Sequence, residues 1–172
     1  MGLPVAAAAG VAMVAGTHRP PGLYQAAKGA VAVDVAGRRH GRVFAFDPGM
    51  AAAPGDELQL TVHAAGDLRY VLVGSVDGTG RFSPFYPAVR DGQSVPLPPA
   101  GRPLEPPIVL DDAPGPERLL VIVSDAPLAV SAVAPVAESV QARTERLEIP
   151  GVPPTARTVA HWITLPKQVT GQ

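Results

Sequence analysis

The stretch Leu68–Pro87, LRYVLVGSVDGTGRFSPFYP, decides the reading of the fold. Leu68 to Val76 is dense in β-branched and aromatic residues and bounded by turn formers, which predicts a strand. Asp77-Gly78-Thr79-Gly80 follows, supplying residues that tolerate positive φ in a tight hairpin. Arg81–Tyr86 returns as a second strand; Pro84 within it donates no backbone hydrogen bond and points to an edge strand or a bulge. The first strand is apolar at almost every position, the pattern of a central strand covered on both faces.

Upstream, Ala30–Val35 predicts a strand, Gly37–Gly41 a polar turn, and Arg42–Phe46 a second strand ended by Asp47-Pro48-Gly49. The turn Pro54-Gly55-Asp56 opens a clean period of two. Leu58, Leu60 and Val62 fall on one face, and Glu57, Gln59, Thr61 and His63 on the other, as in a half-buried antiparallel strand. Downstream, Ser94–Pro98 and Pro107–Asp111 are short extended pieces in a Pro-rich stretch. Glu117–Val123 is the second continuous apolar run and the other expected central strand, broken by Ser124-Asp125-Ala126-Pro127. Within Ser131–Arg143, Val133, Val136 and Val140 repeat at helical spacing, with Ser131 as the expected N-cap and Pro135 tolerable only in the first turn. Thr158–Leu165 is the expected last strand.

Short strands separated by turn signals predict a mainly β chain: an antiparallel β-sandwich, Ig-like or jelly-roll-like, with one short helix in the C-terminal half. The expected organisation is an apolar leader and linker over 1–29, a sandwich domain over 30–165 and a tail over 166–172. At 172 residues the chain is long enough for one domain with a substantial core. The net charge of −1 and the scattered basic residues argue against a nucleic-acid surface. Without cysteine there are no disulfides and no thiolate metal sites, and the compartment stays open.

The leader Leu3–Gly16, LPVAAAAGVAMVAG, is uncharged and too short to span a bilayer as a helix of about 20 residues. Three readings stand: a signal peptide or anchor with small-residue cleavage sites near Ala7-Ala8-Ala9 or Val14-Ala15-Gly16, the end of a transmembrane helix from a longer precursor, or an Ala-rich leader without an address. No Lys or Arg precedes it, which weakens the signal-peptide pattern. The expected location is the cell envelope or periplasm, tethered or exported, with membrane contact only through this leader.

From Pro54 to Leu128 a series of motifs arrives in order: Pro54-Gly55-Asp56, Tyr70 through Asp77 and Gly80, Tyr86-Pro87, Gly92-Gln93-Ser94-Val95-Pro96-Leu97-Pro98, Gly115-Pro116-Glu117-Arg118, and Ser124 with Pro127-Leu128. This series resembles a bacterial domain family of unknown function and covers under half of the chain. Members of that family are appended to anti-sigma-factor-like transmembrane proteins, protein kinases and caspase-like peptidases. The resemblance implies an accessory, envelope-facing domain and carries over no catalytic residue. Pro96 inside the Val-x-Leu-Pro element departs from the pattern and puts the strand pairing there in question.

Chemistry-bearing residues are sparse. His18, His40, His63 and His161 stand apart in sequence, without metal-site spacing, and no cofactor is expected. Asp111-Asp112 reads as a strand end in preference to an acid/base or cation pair. Asp77–Gly80 lacks the further acidic positions of a Ca²⁺ loop, and Gly74-Ser75 is not a nucleophile elbow. Three functions are therefore expected in descending order. The first is a non-catalytic module binding a protein or envelope ligand, with Phe82, Phe85 and Tyr86 on the Pro-bearing strand as candidate anchors, set against the commoner role of strand-end aromatics as plugs of a sandwich core. The second is a small hydrolase pairing Ser75 or Ser124 with His63 or His161, and the third a structural spacer.

Overall fold

The computed structural model describes residues 24–28, 30–46, 50–113, 115–139, 147–153 and 155–167. Among these, the strands make two antiparallel sheets packed face to face. In the first sheet β2 (Val31–Arg39) pairs with β4 (Glu57–Ala64), and β8 (Ile108–Val109) flanks β4. The other edge of β2 is shared end to end by β1 (Tyr24–Lys28) and β3 (Arg42–Ala45). In the second sheet β10 (Thr158–Leu165) pairs with β9 (Glu117–Ser124), and β9 with β5 (Tyr70–Val76). The far edge of β5 is shared by β6 (Phe82–Tyr86) and β7 (Val95–Pro96).

Alternation sets what lies between the sheets. Val31, Val33, Val35, Leu58, Leu60 and Val62 of the first sheet meet Val71, Val73, Leu119, Val121, Val123 and Ile163 of the second, all buried. The intervening residues of β5 and β9 are apolar too, and a second core forms on their far side. There Leu72, Val76, Leu120 and Ile122 are covered by Leu128, by Leu147 and Ile149, and by α1 (Val130–Ser139), which buries Val130, Val133 and Ala137. The order is sheet, sheet, helix.

The structure corrects several boundaries. Residues 24–28, expected in the linker, form a strand, because their backbone completes the edge of β2 left open by the short β3. The polar turn contracts to His40 and Gly41, both at positive φ, and Gly37 to Arg39 continue β2. Residues 166 and 167 belong to the domain, not to a tail: Ala52 N–H donates to the Pro166 carbonyl at 2.6 Å. Pro96 pairs opposite Tyr70, and Leu97 N–H donates to the Arg69 carbonyl at 2.7 Å, so a proline at this position does not break the edge.

The helix also differs from its forecast. Ala129, not Ser131, caps it, its carbonyl accepting from Ala132 and Val133 N–H, while Val130 N–H donates to Gly92. Pro135 falls in the second turn. The carbonyl left without a helical donor is that of Ser131, an exposed residue where water can replace the bond. The forecast extension through Val140–Arg143 lies outside the described residues.

Candidate functional site

The three aromatic residues expected as anchors on β6 are turned largely into the core. Phe82 is fully buried, its ring filling the space that a Cβ on Gly74 would need. Its backbone is engaged as well: Phe82 N–H donates to Glu138 Oε1 of α1 at 3.0 Å, and its carbonyl accepts from Arg90 Nη2 at 2.6 Å. Strand addition would have to displace both. Tyr86 is 7% exposed and its hydroxyl donates to the Pro106 carbonyl, with burial and then the charge of Glu105 pushing its pKa up to about 12. Phe85 is the extra residue of a bulge, since Val73 pairs with Tyr86 and Gly74 with Pro84, and it packs half-buried on the inter-sheet core. Apolar burial outweighs exposure at each of these side chains.

The serine and histidine candidates are also dispersed. Ser75 and Ser124 are buried in the second sheet, and Ser124 Oγ donates to the Ala126 carbonyl at 2.7 Å. His63 lies on the far side of the first sheet, where Nε2 is 2.9 Å from Asp34 Oδ2. His161 is buried on β10, and His40 occupies the β2–β3 turn. His18 lies outside the described residues. Among the described residues no three His, Cys, Asp or Glu side chains are grouped as a metal site.

Two ion clusters close one end of the sandwich. Arg39 grips Asp56 with Nε and Nη2 on separate carboxylate oxygens, both at 2.7 Å, while Ala53 N–H donates to Oδ2 at 2.9 Å. Burial opposes the Asp56 charge, but these bonds outweigh it and hold the carboxyl below its ordinary range. Lys167 Nζ meets Asp111 Oδ1 at 2.9 Å, the Ala113 carbonyl at 3.0 Å and Glu117 Oε2 at 3.1 Å. Burial works against the ammonium, and its carboxylate partners raise its pKa nonetheless. Asp111 is correspondingly lowered, Lys167 being the main cause. Leu110 and the 55–56 turn exchange backbone bonds between the clusters. Each charge is spent inside the chain, so this end is a clamp. The separation in sequence hid it: Asp111 was readable as a strand end, and Lys167 fell in the expected tail.

What remains open is the outer face of the first sheet. Among the described residues three large hydrophobic side chains stand exposed, and two are here: Val43 at 77% and Val109 at 58%. Pairing puts them in one row across four strands, because Val43 is opposite Arg38, Arg38 opposite Glu57, and Glu57 opposite Val109. The row reads Val43, Arg38, Glu57, Val109, with Arg38 Nε donating to Glu57 Oε2 at 2.8 Å. The next rows carry Ala36 with Gln59, then Asp34 with Thr61, then Ala32 with His63. A groove of about 330 Å³ lies against the first two rows, lined by Ala36, Arg38, Val43, Glu57, Gln59 and Pro107. The signal for this face was in the sequence: the polar half of the β4 alternation marks it, and Val43 stands out because it shares a face with those polar residues.

Compared with known proteins, the chain matches no family model, no curated protein and no solved structure.

Proposed function

We propose that the chain is a non-catalytic accessory domain, facing the cell envelope, that binds a protein through the outer face of its first sheet. The observation that carries this reading is the pairing of two exposed valines with a flanked ion pair and a shallow groove on one uncovered face. The valines bracket the ion pair, so the face offers apolar contact at two edges and paired charge between them. The groove is open and has no convergent polar cluster beyond the Arg38–Glu57 pair, which suits a flat macromolecular partner better than a small molecule. The envelope-facing location rests on the leader and on the family resemblance. The hydrolase reading gains no support: His63 lies on the other sheet from Ser75 and Ser124, while His161 is separated from Ser75 by β9 and lies on the opposite face of its sheet from Ser124.

A photo-crosslinking side chain placed at Val43, with one at exposed Val89 as control, tests the reading in cells producing the full chain. Crosslinked protein at position 43 and none at position 89 is expected. Equal yields at both positions, or none at either, would overturn the assignment of this face.

A further inference from the structure

The order of side chains along the exposed row carries a specific partner. We infer that the outer face of the first sheet pairs with the same face of a second copy of this chain, about a two-fold axis running parallel to β2 and β4. This inference rests on the proposal that the face is a binding surface, and it names the occupant.

The argument is one of symmetry. The row Val43, Arg38, Glu57, Val109 is apolar, positive, negative, apolar from one edge of the sheet to the other. An axis along the strands, between β2 and β4, reverses left and right without reversing strand direction. Val43 then stacks on Val109 of the second copy, and Arg38 on its Glu57, each twice. The four charges form a square of alternating sign, so every charge has two opposite neighbours. Lower rows meet as Ala36 on Gln59, Asp34 on Thr61 and Ala32 on His63, with no like charges opposed. A two-fold running across the strands at this row would instead stack Arg38 on Arg38 and Glu57 on Glu57, opposing like charges. The sequence of charges therefore selects one axis. That axis keeps the two sheets aligned, the common geometry for sheets stacked about 10 Å apart. An isologous interface needs one self-complementary patch, and this row supplies it.

The full chain, followed by sedimentation equilibrium from micromolar to millimolar concentration, tests the inference. A monomer–dimer equilibrium is expected. Arg38→Glu should weaken it roughly 100-fold, because like charges then face each other at two symmetric places. The double exchange Arg38→Glu with Glu57→Arg keeps the pair within each chain and should restore dimerisation. Mixed with wild-type chain, the exchanged protein should form its own dimers and no mixed ones, since the mixed interface opposes like charges. Thermal melting checks that each variant is folded. A wild-type chain that stays monomeric, a dimer indifferent to Arg38→Glu, or mixed dimers forming as readily as pure ones would each overturn the inference. A monomeric chain that still crosslinks from position 43 to a protein of another mass would leave the broader binding proposal standing.

Discussion

β4 and β9 are both eight residues long and both begin with glutamate, yet they live in different surroundings. In β4, ELQLTVHA, burial alternates until the last turn-facing residues, because only the inner side of the first sheet is covered. In β9, ERLLVIVS, every residue but Arg118 is buried, because α1 and Leu147 and Ile149 cover the far side. The contrast teaches how one chain makes a closed face and an open one. A sheet buries both sides only when both alternating sets are apolar. The polar set on β2 and β4 leaves the first sheet with a solvated face on which two valines are conspicuous.

The largest effect that sharpens this contrast is expected at Phe82, under the helix. Phe82→Ala should cost about 3–5 kcal/mol in urea unfolding, as truncations of buried aromatics do. A cost below 1 kcal/mol would mean that the second face is not closed.

Next in size is the clamp that holds the open and closed sheets at one end. Arg39→Ala leaves Asp56, 1% exposed, without its counter-ion and should cost about 3 kcal/mol. The pH dependence has a definite sign. Asp56, Asp77 and Asp111 are each held below the ordinary carboxyl value of 3.8, so their contribution is full above that pH and lost as pH falls through the lower folded values. For Asp77 the bonds from Thr79 and the Gly80–Arg81 backbone outweigh an opposing burial effect. Acid unfolding should thus steepen below the ordinary carboxyl pKa, and Arg39→Ala should flatten that limb.

The two sheets also share a device, an aromatic ring seated over a strand glycine, with unequal consequences. A Cβ on Gly74 would meet the fully buried Phe82 ring and the backbone carbonyl oxygen of Ser83 on the paired strand, the latter at 2.8 Å, and neither can give way without disturbing the packing or the strand pairing. Gly74→Ala should therefore cost about 1–3 kcal/mol, the range of overpacking. The nearest atoms a Cβ on Gly37 would meet belong to the ring of Phe44, which is half-buried on an edge strand and has more room to give way. Gly37→Ala should cost less, and equal costs in thermal unfolding would contradict the difference drawn between the sheets. The smallest effect belongs to the open face: Val43→Asp should change stability by no more than about 0.5 kcal/mol.

Much of this architecture was legible in the sequence, for a physical reason. Leu58, Leu60 and Val62 are buried as their spacing predicts, and the largely apolar run Val71–Val76 and the apolar run Leu119–Val123 are the strands covered on both sides. Thr158–Leu165 is a strand over the predicted residues. What depended on distant partners was not legible. Tyr24–Lys28 has no strong strand signal and is a strand because β2 offers an edge. The pairing of Asp34 with His63 and of Lys167 with Asp111 and Glu117 depends on strand register and on how the chain closes. Phe82, Phe85 and Tyr86 show the same limit from the other side. Aromatic residues near a proline suit an exposed edge as well as the commoner plugged core, and the position of α1 and of the loop carrying Pro106 places Phe82 and Tyr86 in the core.

Carbene footprinting of side chains at two protein concentrations tests the asymmetry most directly. In dilute solution Val43 and Val109 should label strongly, while Leu72, Val76 and Ile122 stay unlabelled; on concentration the two valines should lose label and nothing beneath α1 should gain it. Val43 and Val109 protected even in dilute solution, or Leu72 and Ile122 labelled alongside them, would contradict the division of this molecule into a closed face and an open one.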